Sequence, residues 1–278
     1  MPYNPSHQNG LTAAPAGEFV VSPLPAGGEK LAFSLVVPTR NESHNLPELI
    51  EQLEPAISAE VGGSYEIIVV DDDSPDETWR VAAEMAANHP HLVAVRRTTE
   101  RGLATAVVRG WQIARGELLG VIDADLQHPP QVIARLIAAM RDGADLAVGS
   151  RDVEGGGTSD WSPVRIFISR SLRAVGRLLL PGMLSRVSDP MTGFFIVRRS
   201  AIENIELNPV GYKILVELLV RGRIGKIAEV GYVFRSRQRG ESKASMKVFT
   251  DYVLHLFRLR AAAHKAARMS ANVRGRGN

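Results

Sequence analysis

Asp123-Ala124-Asp125-Leu126-Gln127 sets two carboxylates one residue apart and a side-chain amide two residues further on. Mg2+ and Mn2+ take oxygen ligands of this kind, with one or two carboxylates and substrate phosphates sharing the coordination sphere. A second acidic run, Asp71-Asp72-Asp73-Ser74-Pro75-Asp76, packs four acids into six residues. Ser74 or Asp76 can cap a following helix. Adjacent carboxylates also repel, a cost that a cap alone does not require. Asp71 and Asp72 are therefore candidates for holding a base, a ribose or a metal. Basic residues recur where an anion could use them, at Arg151, at Arg165 and in Arg237-Gln-Arg-Gly-Glu-Ser-Lys243. Guanidinium groups clamp phosphate bidentately and lysine adds a point charge. Singly these are ordinary surface residues; beside a metal site they form a set of diphosphate and phosphate anchors. No Gly-x-Gly-x-x-Gly, P-loop or Gly-x-Ser-x-Gly occurs in the chain. A nucleotide would therefore be held by carboxylates and a metal.

The elements that must position these groups follow from periodicity. Short apolar runs at residues 33–38, 65–70, 92–95, 118–122 and 145–149 read as buried strands. Helical spacing fills the intervals at 45–60, 78–88, 102–115 and 130–141, with Asn45 as a candidate cap. Strands alternating with helices imply βαβ units and a mostly parallel sheet, whose ligands bind beyond the carboxyl ends of the strands. Four polar clusters fall there: residues 39–42, 71–76, 123–128 and 150–152. The second half is less regular. It holds a basic amphipathic helix at 164–180, strands at 194–197 and 227–234, a short helix at 213–221, and a long amphipathic helix at 245–269. Residues 1–30, with five Pro and four Gly, read as a disordered leader.

With 278 residues, 45% hydrophobic and 23% charged, the chain is long enough for a substantial core and is not a disordered protein. The absence of cysteine excludes disulfides, thiolate nucleophiles and iron–sulfur clusters. No run of about 18 apolar residues is present to span a bilayer, and no secretory signal pattern opens the chain, which implies a cytoplasmic protein. The net charge of +3 conceals an asymmetry. Residues 235–278 carry 11 Lys/Arg and 2 Asp/Glu, whereas the remainder carries 22 and 28. An acidic body with a basic end does not suit a nucleic-acid binder, but it suits a protein that meets an anionic surface at one end.

Seven motifs occur in order: Pro38-Thr-Arg-Asn-Glu42, Asp71-Asp-Asp-Ser-Pro-Asp76, Arg101-Gly-Leu, Asp123-Ala-Asp-Leu-Gln-His-Pro-Pro130, Gly149-Ser-Arg151, Asp189-Pro-Met-Thr-Gly-Phe-Phe195 and Arg239-Gly-Glu-Ser-Lys243. Across residues 33–260 the chain resembles the dolichol- or polyprenol-phosphate mannose synthases, inverting family 2 glycosyltransferases. The resemblance implies a GT-A (Rossmann-like) α/β domain at 31–244, followed by an amphipathic helix and basic tail at 245–278. It implies that Pro38, Arg40, Glu42, Val70, Asp71, Asp72 and Ala124 meet the nucleotide. Asp123, Asp125 and Gln127 would hold Mg2+ or Mn2+. Arg151, Arg237 and Lys243 would meet the donor and the acceptor phosphate, with Arg165 as the lipid-phosphate anchor. Asp125, Arg151 and Arg165 are the residues on which catalysis would rest.

The implied reaction is mannose transfer from GDP-mannose to a polyprenyl or dolichyl phosphate. A UDP-sugar such as UDP-glucose is the alternative donor, and a non-catalytic sugar-nucleotide or lipid-phosphate binding module is the alternative class. The implied location is peripheral at the inner face of the membrane. The helices at 164–180 and 245–269 would touch the lipid or pack on the core, and a membrane-anchoring protein partner would be consistent with either.

Overall fold

The computed structural model describes residues 19–22, 30–159, 161–236, 250 and 252–263. The first half alternates strand and helix. β1 (Phe19–Ser22) and β2 (Leu31–Thr39) precede α1 (Leu46–Val61), and β3 (Tyr65–Asp71) precedes α2 (Thr78–Ala86). β4 (Leu92–Arg97), α3 (Leu103–Ile113), β5 (Gly116–Val121), α4 (Val132–Arg141) and β6 (Leu146–Ser150) complete it. β7 (Gly157–Thr158), α5 (Pro163–Leu179), α6 (Pro181–Leu184), β8 (Phe195–Arg198) and α7 (Arg199–Ile202) follow. The described chain closes with α8 (Ile214–Arg221), β9 (Ile227–Gly231), β10 (Val233–Phe234) and α9 (252–263).

Eight strands form one sheet in the order β1-β4-β3-β2-β5-β8-β6-β9. β2 pairs in parallel with both β3 and β5, which brings three carboxyl ends side by side. β8 enters antiparallel between β5 and β6. Strands buried on both faces read as continuous apolar runs. Accordingly every residue of β3 is buried. One apolar layer, built on α3, α8 and α9, covers one face of the sheet. The other, built on α1, α2 and α4, covers the opposite face. The expected GT-A-like parallel sheet between helices is what forms.

Three local features differ from the sequence reading, and a fourth decides between its two alternatives. Within the expected leader, Phe19–Ser22 pairs antiparallel with β4, Phe19 opposite Arg97; a four-residue strand among prolines has too short a pattern to register. Asn45 occupies the cap position of α1 but makes no side-chain cap. Its Nδ2 instead donates to Glu42 Oε2 at 2.8 Å. At α2, Asp76 Oδ1 accepts from the Thr78 amide at 3.1 Å and from its hydroxyl at 2.6 Å, so Asp76 and not Ser74 satisfies the first turn. The strand expected at 227–234 divides, β9 joining the main sheet and β10 pairing with β7. The long C-terminal helix is described only at 252–263 and the basic tail lies outside the described residues.

Candidate active site

The carboxyl ends of β2, β3 and β5 open into a cleft of about 440 Å³. Pro38, Thr39, Arg40 and Glu42 line it from the end of β2, and Asp72 from the end of β3. Asp123, Ala124, Asp125 and Gln127 line it beyond β5. Arg165, in the first turn of α5, closes another side. Ser162 fixes that turn by accepting the Arg165 amide, with Pro163 at the first helical position.

The 123–127 segment is built to present oxygens. Leu126 has φ 58°, a left-handed conformation that costs a leucine about 1–2 kcal/mol. That turn lets the Gln127 amide N–H donate to Asp125 Oδ1 at 3.2 Å. Gln127 Nε2 donates to the Arg235 carbonyl at 2.9 Å, so the amide is oriented and its oxygen is the atom left to face a cation. Gly193 lies against Asp123: a Cβ there would stand 2.5 Å from Oδ2. On another side His128 Nε2 is 3.4 Å from the same oxygen. The His128 ring is buried among Phe194, Tyr232 and Phe234, with centroids 5.4, 5.3 and 5.1 Å away. Two carboxylates and an amide oxygen on a bent loop suit a small hard cation, which takes its remaining oxygens from water and phosphate. Among the described residues no group of three or more His, Asp or Glu is gathered into an all-protein metal site.

Not every expected residue reaches the cleft. Asp71 is fully buried. Its carboxylate accepts from Thr39 Oγ1 at 2.8 Å, Ser74 Oγ at 2.6 Å and the Ser74 amide at 2.8 Å, so it holds the turn after β3. Burial pushes this carboxyl above the ordinary aspartate value against those hydrogen bonds. Val70 is in the core beneath. Asp72 lines the cleft, but Arg97 Nε donates to its Oδ1 at 2.7 Å and the Gly102 amide to its Oδ2 at 2.6 Å. It thereby ties the Arg101–Leu103 wall to the sheet. The Arg40 guanidinium donates to the carbonyls of Asp72 and Asp73. Arg151 is not at the cleft wall: its Nε and Nη2 donate to the two oxygens of buried Asp189 at 2.6 and 2.7 Å. Arg237 and Lys243 lie outside the described residues.

Lys213, which the sequence reading placed only at the start of a short helix, lines the cleft. Its Nζ donates to the Met191 carbonyl at 2.8 Å. Burial pulls its ammonium below the usual lysine range, and the charges of Asp123 and Asp189 oppose that pull. A sequence signal existed, because Lys213 occupies the cap position of α8, where the helix dipole disfavours a cation.

The glycosyl transferase family 2 profile matches residues 34–206. The chain is 46% identical over 229 residues to a dolichol-phosphate mannosyltransferase of Pyrococcus furiosus, covering 82% of this chain and 64% of that protein. It therefore spans just under two thirds of that relative. The Saccharomyces cerevisiae dolichol-phosphate mannosyltransferase is 35% identical, with 81% of this chain and 86% of the yeast protein covered. Polyprenol monophosphomannose synthase of Mycolicibacterium smegmatis is 36% identical, with 76% and 80% covered. In fold, the chain is similar to glucosyl-3-phosphoglycerate synthase of Mycobacterium tuberculosis, with a TM-score of 0.60 at 18% identity, covering 84% of this chain and 80% of that one. By the family model and these relatives, this chain belongs to glycosyl transferase family 2, among the dolichol- and polyprenol-phosphate mannosyltransferases.

Proposed function

We propose that this chain transfers mannose from GDP-mannose to a polyprenyl or dolichyl monophosphate with inversion, releasing GDP. One observation carries the reading: Asp123, Asp125 and Gln127 share a single cleft with the cations Arg165 and Lys213. An oxygen of the lipid phosphate attacks the anomeric carbon, a carbon–oxygen bond to that phosphate forms, and the bond to the GDP β-phosphate breaks. A phosphate monoester has a second pKa of about 6, so the nucleophile is already an anion and no general base is needed. The protein's task is to bring two anions together and receive the charge of the departing diphosphate. Asp123, Asp125 and Gln127 would hold Mg2+ or Mn2+. When bound, such a cation supplies charge stabilisation at the leaving diphosphate. The Mycobacterium tuberculosis structure of similar fold is described with Mn2+ and UDP, which supports a divalent ion. Arg165 and Lys213 offset repulsion at the acceptor side, and Glu42 and Ala124 shape the nucleotide wall.

A lipid acceptor requires contact with a membrane. No helix among the described residues is long and apolar enough to cross one. Along the 17 residues of α5 only Gly176 is buried, and Val164, Phe167, Ile168 and Leu178 are exposed beside Arg165 and Arg170. α9 buries Tyr252, Leu256 and Leu259 and exposes Leu254 and Phe257. Exposed apolar residues interleaved with arginine fit the interfacial zone of a bilayer, so the chain sits peripherally on it.

The test is substitution. Asp125→Ala is expected to abolish formation of lipid-phosphate-mannose, and Arg165→Ala to cut it to a small residual rate from which an acceptor KM can still be read, each melting within a few degrees of the parent. Near-normal turnover in either folded variant contradicts the assignment.

A further inference from the structure

An aromatic column lies beside the cleft, and none of its rings has a part in the reaction above. His128 meets Phe234 edge-on with centroids 5.1 Å apart, and Phe234 meets the Trp161 indole edge-on at 5.6 Å. At one end of the column His128 contacts Asp123. At the other, the Arg165 guanidinium carbon stands 4.2 Å from the centre of the Trp161 ring. Arg151 approaches the same ring at 5.1 Å. Two guanidinium groups on one indole repel each other. Asp189 balances Arg151 through two hydrogen bonds, and the negative face of the indole attracts both cations. Trp161 is itself anchored, packing against the apolar layer that contains Phe234. Its Nε1 is buried and has no hydrogen-bond partner among the described residues, so no polar contact accounts for the placement of the indole.

An exposed arginine samples many rotamers, and an anion that binds it must bear the cost of ordering it. A flat ring packed against Phe234, which in turn meets His128, removes part of that cost. We propose that Trp161 is a positioning residue for the acceptor side of the site, holding the Arg165 guanidinium where the acceptor phosphate arrives. This rests on the function proposed above.

Steady-state kinetics of the full chain with a short-chain, water-soluble polyprenyl phosphate tests it, using Trp161→Leu, Trp161→Phe and Arg165→Ala. Trp161→Leu is expected to raise the acceptor KM about five- to tenfold, the size of a lost cation–π contact, and to leave the GDP-mannose KM within about twofold. Trp161→Phe, which keeps a ring, is expected to recover most of that loss. An unchanged acceptor KM in Trp161→Leu overturns the proposal, as does a parallel rise of both KM values with no recovery in Trp161→Phe, the behaviour of a general packing residue. If Arg165→Ala leaves the acceptor KM unchanged, the assigned role of Arg165 fails and the proposal falls with it. If Arg165→Ala raises it and Trp161→Leu does not, the proposal alone fails.

Discussion

Aspartates of one type meet different fates in this chain, and the surroundings of each decide which. Asp71 is consumed by Thr39 and Ser74, Asp72 by Arg97 and Gly102, and Asp189 by Arg151. Asp123 and Asp125 stand on a bent loop at the cleft. For Asp189, burial alone would raise the carboxyl, but the hydrogen bonds and charge of Arg151 outweigh it and hold the group below its ordinary value. A depressed carboxylate contributes stability that is full above the unfolded value of about 4 and is lost as pH falls through the folded value. Asp189→Asn leaves Arg151 buried without its partner, so a loss of about 3–5 kcal/mol near neutrality is expected. Urea midpoints followed down to about pH 2 should then fall less steeply in Asp189→Asn than in the parent; equal slopes would refute the assignment. For His128, phenylalanine keeps the aromatic cage filled and removes the contact to Asp123. Mn2+ affinity, read by paramagnetic resonance in the presence of GDP, is expected to drop roughly 10–100-fold, the usual cost of losing a group that orients a ligand. Unchanged affinity would show that Asp123 is held without the imidazole.

At the scale of elements, the close approaches that shape the site are made by glycines. A Cβ on Gly110 of α3 would stand 2.6 Å from both γ-carbons of Val36 in β2. Gly110→Ala is therefore expected to cost about 1–3 kcal/mol through overpacking, measured by chemical denaturation; a stable variant would mean that α3 can shift off the sheet. Much of this layer was legible in the sequence. Val36, Ile68 and Val70 belong to short apolar runs that read as buried strands, and the 3.6-residue spacing of Leu46, Leu49, Ile50 and Leu53 on the opposite face declares α1. The insertion of β8 between β5 and β6 was not legible, because an apolar run carries no direction and no neighbour. Asp123 and Asp125 could be found because their spacing is itself the signal. The pairing of Arg151 with Asp189 was not legible, because the two are 38 residues apart and only folding joins them. α5 makes a further prediction. Phe167 and Ile168 are exposed, so Phe167→Asp with Ile168→Asp should leave the melting temperature unchanged and sharply weaken vesicle binding. Equal vesicle binding would remove α5 from the membrane contact.

At the scale of the molecule, charge is divided between a body with net −6 and residues 235–278 with net +9. Each basic residue near an anionic leaflet is worth about 1 kcal/mol and is screened by salt. On the proposed function, residues 235–278 would draw the chain to an anionic leaflet, beside the contact proposed for α5. Within the otherwise acidic body, Arg165 of α5 and Lys213 at the cap of α8 would, on the same proposal, receive phosphates. The most direct test is a transfer assay with GDP-mannose and a polyprenyl phosphate, run beside UDP-glucose and beside a reaction stripped of divalent metal. Metal-dependent formation of lipid-phosphate-mannose from GDP-mannose, with no product from UDP-glucose, is the expected result. Transfer from UDP-glucose alone, or no transfer from either donor, would contradict the account.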